Sequence, residues 1–239
     1  MPQALQAFVK QDDIIEMHFA KPRFVNGWSA FSGTIGVADI GTWEFVTETD
    51  NSSSVDETAE GHYFQQNTSS VDGNEAFSNT TDNVTNIGMK FCTVVIQSFK
   101  YPDFQRCFTG YTNVPIIDTI EDDEPAGDLF GFQQRYADTN WWVITSDGDG
   151  NFARTDTGVA VDAGDDDPQL VRKYILYSDG DGDLKWAIKS YADVALGGGT
   201  LEVGAFPTAT QNMQFMSGIE TKASRATYIR HYRTREYTE

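Results

Sequence analysis

Two hairpin units of the same design most constrain the fold of this chain. The segments WWVITSDGDGNFARTDTGVAV and KYILYSDGDGDLKWAIKSY each place Asp-Gly-Asp-Gly between runs rich in aromatic and β-branched residues. Asp and Gly tolerate the positive φ angles of tight hairpin turns, and the flanking runs have the composition of strands. The second turn follows the first by 32 residues, from Asp147 to Asp179. Consecutive antiparallel strands are therefore predicted in the second half of the chain.

The rest of the chain supports the same fold class. Short apolar runs alternate with Gly, Asp and Pro turns, and no helical pattern extends beyond two turns. Such spacing predicts an all-β, two-sheet antiparallel sandwich. Since no linker separates two cores, we expect one domain over residues 24–239. The polar stretch at about 47–86 is predicted to be a long surface excursion with one or two short strands, and residues 1–23 an N-terminal arm that docks on a neighbouring subunit.

The charge is strongly acidic, with 36 Asp and Glu against 17 Lys and Arg and a formal net charge of −19. A field of this sign repels phosphates, so nucleic-acid binding is not expected. Two explanations for the acidity stay open. One is cation binding at Asp-rich loops; the other is a halophilic setting, where a Debye length of about 3 Å at 1 M salt removes the self-repulsion of an acidic surface.

Nothing in the sequence predicts insertion into a membrane. No run approaches the roughly 18 consecutive apolar residues of a spanning helix. The first residues, MPQALQAFVKQDDIIEMHF, lack the basic start and apolar core of a secretory signal. We therefore expect neither a membrane anchor nor signal-directed secretion.

Cys92 and Cys107 are the two cysteines of the chain, and they flank the run TVVIQSFKYPDFQR. Two cysteines do not make a disulfide framework. Two alternatives stay open at this stage: a disulfide across adjacent strands, or two buried free thiols.

From Asp128 onward the chain resembles the concanavalin A-like, laminin-G-like jelly-roll sandwiches found in structural proteins of tailed viruses and in extracellular lectins. The residues that carry the resemblance are Asp128-Leu129-Phe130-Gly131-Phe132, Asn140-Trp141-Trp142, Thr155-Asp156-Thr157-Gly158-Val159, Ile175-Leu176-Tyr177-Ser178-Asp179-Gly180 with the returning Leu184-Lys185-Trp186-Ala187-Ile188, and Ala226-Thr227-Tyr228-Ile229-Arg230-His231-Tyr232. They span about 110 residues. The resemblance implies a jelly-roll sandwich and, in a chain without a secretory start, a virion component rather than a secreted lectin.

The Asp-Gly-Asp-Gly loops are candidates for a Ca²⁺ site. Oxygen ligands alternate with glycine as a hard cation prefers, and the candidate ligands are Asp147, Asp149, Asn151, Asp179, Asp181 and Asp183. Neither loop has the Gly and Glu positions of an EF-hand. Plain hairpin turns are the alternative explanation for both loops.

No catalytic residues are predicted, and the chain is not expected to be an enzyme. A glycosidase needs two carboxylates across a cleft, and no strand shows two alternating acids in an apolar setting. Trp141 and Trp142 must point to opposite faces of one strand. One is expected in the core, and the other is a candidate contact for a glycan or a protein partner.

Together these observations favour a virion structural protein on the particle exterior, such as a capsid-decorating, turret, fibre or tail component. Its expected partners are other virion proteins, further copies of the chain (a homo-oligomer such as a trimer), and a glycan or protein on the host surface. The alternative is an extracellular lectin-like carbohydrate-binding module.

Overall fold

The structure is a computed structural model. It describes residues 21–27, 35–36, 42–47, 52–58, 61–73, 75–80, 85–100, 105–114, 124–125, 127–161, 171–201, 206–222 and 226–238, with side-chain environments from residue 65 to residue 237. None of these residues forms a helix long and apolar enough to cross a membrane. The arm predicted over residues 1–23 lies outside the described residues except for its last three, which begin the first strand.

The described residues form sixteen β-strands and no helix. The strands are β1 (Lys21–Gly27), β2 (Ile35–Gly36), β3 (Thr42–Thr47), β4 (Ser52–Thr58), β5 (Gly61–Asn67), β6 (Glu75–Thr80), β7 (Lys90–Lys100), β8 (Gln105–Thr112), β9 (Asp128–Gln134), β10 (Asn140–Asp147), β11 (Phe152–Ala160), β12 (Arg172–Asp179), β13 (Leu184–Ser190), β14 (Ala195–Leu201), β15 (Gln214–Thr221) and β16 (Tyr228–Thr238).

The strands pair in two antiparallel sheets. Sheet A has the order β14-β13-β12-β7-β16-β5-β4, with β1 also paired to β16. Sheet B has the order β11-β10-β9-β8-β15-β6-β3-β2. The prediction of an all-β, two-sheet antiparallel sandwich is confirmed.

The core lies between the sheets and is rich in aromatic residues. Along β7, side chains alternate between this core and the outer face of sheet A, because successive residues of a strand point to opposite faces. Phe91, Val95 and Phe99 belong to the inter-sheet cluster. From the facing sheet, Tyr111 and Phe130 stack with ring centroids 5.0 Å apart.

Both Asp-Gly-Asp-Gly segments close hairpins. The first joins β10 to β11, and the second joins β12 to β13. Gly148 and Gly180 have φ angles of +75° and +84°, a region that side chains other than glycine rarely adopt. The turn chemistry read from the sequence therefore matches the local structure.

The polar stretch at about 47–86 contains more strand than its composition predicts. It supplies β4, β5 and β6, and β6 lies inside sheet B between β15 and β3. All six residues of β6 are buried. Polar side chains are accommodated there by specific hydrogen bonds: the Gln66 amide, for example, donates to the Phe77 carbonyl at 2.9 Å. The predicted domain boundaries themselves stay a prediction.

The two cysteines are free and buried, which excludes the disulfide alternative in this structure. Cys92 lies on β7 in sheet A, with its side chain in an apolar cluster on the outer face of that sheet. Cys107 lies on β8 in sheet B and faces the inter-sheet core. The strands that follow each other in sequence here belong to different sheets, so the two thiols point into separate clusters.

Candidate ligand-binding face

The predicted Ca²⁺ ligands lie at the two hairpin turns, where their oxygens accept hydrogen bonds from their own loops. Asp147 Oδ1 accepts from the amides of Asp149 (2.9 Å) and Asn151 (3.2 Å). The Asn151 side-chain amide also donates to Asp147 Oδ2 at 2.6 Å. This hydrogen bond, followed by the one from the Asp149 amide, lowers the pKa of Asp147. Asp179 Oδ1 accepts from the amides of Asp181 and Asp183 in the same way.

The two loops lie at the same end of the sandwich. Ser178, which precedes the second loop, donates its hydroxyl to the Ile87 carbonyl at 2.7 Å. The Gly88 amide donates to the Ala209 carbonyl at 3.1 Å. The neighbouring Thr208 amide donates to Asp128 Oδ1 at 3.3 Å. The pKa of Asp128 is raised mainly by burial, and the charges of Asp147 and Asp149 act in the same direction. The hydrogen bond from the Thr208 amide opposes this shift. Among the described residues, no group of three or more His, Cys, Asp or Glu side chains is arranged to hold a metal ion.

The tryptophan pair occupies opposite faces of β10. Trp141 lies in the inter-sheet core and contacts Tyr174 at a centroid distance of 5.1 Å. Trp142 lies on the outer face of sheet B, where the guanidinium of Arg154 covers its ring at 4.1 Å. Arg154 also pairs with Asp138. The proposed glycan or partner role of Trp142 stays a prediction.

A second set of residues, on the outer face of sheet A, forms a surface that we call the tyrosine–cation face. Its members are tyrosine, lysine and arginine side chains on β7, β12, β13 and β16 and on the turn after β13. They are Lys100, Lys173, Tyr177, Lys185, Lys189, Tyr191, Tyr228, Arg230, Tyr232, Arg233, Arg235 and Tyr237.

The strand register arranges most of these residues in rows across the sheet. Residues paired on neighbouring strands point to the same face, so each row can be read from the register. The rows are Tyr237-Cys92-Tyr177-Lys185, Arg235-Val94-Ile175-Ala187 and Arg233-Ile96-Lys173-Lys189. The middle row is apolar over β7, β12 and β13, and the rows on either side contribute tyrosines and cations.

Cations lie over the tyrosine rings of this face. Lys100 and Arg230 lie 5.2 Å and 4.5 Å from the ring centroid of Tyr228. Lys185 lies 5.9 Å from the ring of Tyr177. Because an aromatic ring attracts a cation to its face, these pairs hold the charged groups in fixed positions. The rings of Tyr177 and Tyr228 are themselves buried.

The accessible groups lie around the apolar middle row. Arg233 is exposed, Arg235, Lys173 and Lys185 are half-buried, and Tyr191 is 39% exposed. The Lys173 ammonium lies 5.4 Å from the ring centroid of Tyr191. A ligand at this face would therefore meet guanidinium and ammonium groups together with one partly exposed phenol ring. The apolar side chains between them, such as Val94, are buried.

Positive charge is crowded on the tyrosine–cation face. Desolvation, followed by the positive charge of Arg235, lowers the pKa of Arg233. Burial is also the main cause that lowers the pKa of Lys189, and the charge of Lys173 acts in the same direction while Asp193 opposes it. The Lys173 ammonium pairs with Asp193 at 2.7 Å. Crowded like charges favour the approach of an anion.

The last strand carries a sequence pattern that points to this face. Tyr228, Arg230 and Tyr232 alternate along the last strand, and the basic segment RATYIRHYRTR is the one break in the acidic charge pattern. Alternation predicts that the three side chains share a face. This alternation does not predict that the lysines of β12 and β13 lie on the same face as these three residues. That arrangement depends on β7 pairing with both β12 and β16, which are distant in the sequence.

Comparison with known proteins gives the fold of the chain. No protein-family model matches the sequence, and no curated protein matches it. Three solved structures are similar over most of their length. A protein of unknown function from Shewanella oneidensis is 12% identical, with a TM-score of 0.55 over 82% of this chain and 78% of that one.

The other two structures each contain a bound carbohydrate. A family 16 glycoside hydrolase of Bacteroides ovatus, in complex with a glucan product, is 10% identical, with a TM-score of 0.55 over 81% of this chain and 94% of that one. The exoplasmic/lumenal domain of VIP36, bound to Ca²⁺ and Man3GlcNAc, is 10% identical, with a TM-score of 0.53 over 82% and 83%. At such identities the likeness shows the fold alone: the chain has a concanavalin A-like jelly-roll fold.

Proposed function

We propose that this protein is a carbohydrate-binding module without catalytic activity, and that it binds an anionic polysaccharide through the tyrosine–cation face. One observation carries the proposal: seven of the 17 Lys and Arg residues of a chain with a net charge of −19 belong to the tyrosine–cation face.

The chemistry of the face suits uronate or sulfate groups. A guanidinium offers a planar fork of donors that matches a carboxylate or sulfate, and such charge-assisted hydrogen bonds are among the stronger ones in proteins. Arg233 and Arg235 supply two of these groups on one strand. The ring of Tyr191 is 39% exposed, and its exposed part offers an apolar surface that a sugar ring can contact.

The overall negative charge does not prevent such binding at physiological salt. The Debye length is then about 8 Å, so charges elsewhere on the protein are largely screened at this face. Contacts between a bound anion and a cation a few ångströms away are screened much less. The local charge of the face therefore decides the interaction.

The paired carboxyl groups of sheet B do not form a glycosidase site. Glu75 and Glu220 are paired on neighbouring strands of sheet B, which places two carboxyl groups side by side. Both residues are 1% exposed, and Glu220 pairs with Arg106 at 3.4 Å. A glycosidase needs its two carboxyl groups on either side of a bound sugar. A substrate does not reach this pair.

Calorimetric titration with defined polysaccharides tests the proposal. We expect alginate, a polyuronate, to bind the full chain at physiological salt, and neutral dextran of similar length to bind at least about tenfold more weakly. Added NaCl should weaken alginate binding, because the affinity comes from contacts between opposite charges and salt screens these contacts. Equal affinity for the two polymers, or no binding of either, would overturn the proposal.

The virion-exterior role, with its structural partners, stays a separate prediction. It rests on the resemblance to viral structural domains and on the acidic, loop-rich composition. A virion protein that binds glycans at the host surface would be compatible with both proposals. Mass spectrometry of purified particles from the source organism tests it, and absence of the chain from such particles would favour the extracellular alternative.

A further inference from the structure

Exposed apolar side chains gather where β13 connects to β14. Among the described residues five large apolar side chains are exposed, and three of them lie there: Tyr191, Val194 (60% exposed) and Leu196 (40% exposed). We call these three residues the apolar turn. The other two, Val71 and Tyr136, stand alone in separate turns. Single exposed apolar residues are ordinary on a protein surface, whereas several together mark a contact site.

Hydrogen bonds and an ion pair fix the shape of the apolar turn. The Ser190 amide donates to the Val194 carbonyl at 2.9 Å, and the Val194 amide donates to Ser190 Oγ at 3.2 Å. The Asp193 amide donates to the Ser190 carbonyl at 3.0 Å. The Asp193 carboxylate in turn pairs with Lys173 of β12. The exposed side chains are therefore held in place before any partner binds, which lowers the entropic cost of binding.

The apolar turn borders the tyrosine–cation face. Leu196 lies two residues before Gly198, which pairs with Ala187 of the middle row of that face. Residues two apart in a strand point to the same side, so Leu196 lies on the outer face of sheet A. Lys189 ends the row that begins with Arg233, and it pairs with the residue before Leu196. Exposed apolar groups and cations thus share one surface.

A hydrated polyanion accounts for the cations of this surface but not for Val194 and Leu196. Their side chains form no hydrogen bonds, and they contribute to binding only by leaving water. An anionic phospholipid bilayer offers a partner for each kind of group. Its headgroups attract cations, and its acyl chains begin just below the headgroups. A tyrosine such as Tyr191, with an apolar ring and a polar hydroxyl, suits the boundary between the two layers.

We propose that the apolar turn and the cations beside it bind the surface of an anionic phospholipid bilayer. Val194 and Leu196 enter the boundary between headgroups and acyl chains, and Arg233, which is exposed, contacts the headgroups. The contact is peripheral and needs no spanning segment. It does not depend on polysaccharide binding, although the two ligands would compete for Arg233.

The acidity of the chain does not prevent this contact at physiological salt, where the Debye length is about 8 Å. The acidic loop of the second hairpin lies at the other end of β13. Because β13 has seven residues, that loop is about 20 Å from the apolar turn. Asp193, the acid within the turn, is paired with Lys173. The bilayer would therefore meet mainly the positive charges of the tyrosine–cation face.

Sedimentation of the full chain with lipid vesicles tests the proposal. We expect binding to vesicles of phosphatidylcholine and phosphatidylserine mixed about two to one, and at least about tenfold weaker binding to phosphatidylcholine alone. The variant Val194→Ser/Leu196→Ser should bind the mixed vesicles about tenfold or more weakly, because two apolar side chains no longer leave water. The matched control is Val71→Ser, at a valine that is 58% exposed between β5 and β6, and it should bind as the native chain does.

A fluorescent label shows whether the turn enters the bilayer. Cys92 and Cys107 are buried, so a thiol-reactive, polarity-sensitive dye can be placed selectively at Val194→Cys or at Val71→Cys. Mixed vesicles should shift the dye emission of the Val194→Cys protein to shorter wavelength and leave that of the Val71→Cys protein unchanged. Equal responses at the two positions would contradict entry of the turn into the bilayer.

Alginate titration of the same variants separates this proposal from polysaccharide binding. Val194→Ser/Leu196→Ser removes no charge, so it should keep the native affinity for alginate, whereas Arg233→Glu should weaken both ligands. A native chain that does not bind mixed vesicles would overturn the lipid proposal in favour of a protein partner for the turn. A double variant that binds mixed vesicles as the native chain does would also overturn it. Circular dichroism confirms that each variant is folded.

Discussion

The Tyr111 hydroxyl donates a hydrogen bond to the Glu236 carboxyl group and thereby joins sheet B to sheet A inside the sandwich. Thr85 Oγ1 lies 2.9 Å from both oxygens of the same carboxyl group. Thr93 Oγ1 lies 2.5 Å from the Tyr111 hydroxyl. Glu236 is fully buried, so this acid is held in the core by hydroxyl donors. Without them its burial would be costly.

Tyr111→Phe should destabilise the fold by about 1–3 kcal/mol, because it removes a donor and leaves a buried acceptor less well satisfied. The ring is kept, so its packing against Phe130 does not change. Urea unfolding followed by tryptophan fluorescence measures the effect. Tyr136→Phe makes the same chemical change at a side chain that is 48% exposed, and equal midpoints for the two variants would contradict the prediction.

His231 should make stability fall as the pH drops below about 6.5. Burial lowers the pKa of His231 from 6.5 to about 3, and Gln97 Nε2 lies 2.8 Å from its Nδ1. Below pH 6.5 the unfolded chain takes up a proton that the folded chain refuses until about pH 3. The contribution of this group is therefore complete above pH 6.5 and is lost progressively on acidification.

The size of this loss of stability follows from the shift in the pKa of His231. Between pH 7.5 and pH 5 the single histidine should account for about 2 kcal/mol of lost unfolding free energy. His231→Gln should flatten the pH dependence in this window by that amount, whatever its effect on stability at pH 7.5. A slope unchanged by the substitution would contradict the prediction, because it would mean that His231 takes up its proton at the same pH in the folded and the unfolded chain.

Both thiols should be unreactive in the folded protein. Burial, and then the charge of Glu236, raise the pKa of Cys92 to about 12, and burial raises the pKa of Cys107 well above its usual range. Since the thiolate is the reactive form, a disulfide reagent at pH 8 should label neither residue until the chain unfolds. In denaturant without reductant it should label both. Labelling of neither would instead show a disulfide.

Charge reversal at Arg233 should weaken alginate binding by about tenfold or more, because it replaces an attractive contact by a repulsive one. Arg233 is exposed, so the fold should tolerate the change. The control is Arg135→Glu, in the turn after β9, which changes the net charge equally but lies beside Phe152 on sheet B. Equal losses for the two variants would mean that net charge, and not the face, governs binding.

Salt and calcium should act separately on the melting temperature. Molar KCl should raise it, because screening relieves repulsion among 36 acids. Millimolar Ca²⁺ at constant ionic strength should raise it only if the hairpin loops bind the ion, and Asp149→Ala or Asp181→Ala should then remove that increment. A melting temperature insensitive to molar salt would contradict the halophilic explanation of the acidity.

The two hairpins could be predicted from the sequence because their turns depend on local chemistry. Asp-Gly-Asp-Gly needs positive φ angles that Gly148 and Gly180 adopt, and these angles depend on neighbours within a few residues. The polar stretch at about 47–86 was harder to interpret, because β6 is buried by partners far along the chain. Its Ser78 hydroxyl, for instance, donates to the Ser217 carbonyl at 3.5 Å. From its composition alone, such a strand is predicted to lie on the surface.

The sequence was enough to predict the strand class, the position of the tight turns and which residues of a strand share a face. These properties follow from backbone sterics and from the two-residue repeat of a strand. The three-dimensional structure was needed to show that β7 and β8 enter different sheets, which separates Cys92 from Cys107. It was also needed to show that β16 pairs with β7, which gathers the cations on one face. The reason is that strand pairing depends on contacts between segments far apart in the sequence. No local pattern specifies which of these distant segments come together.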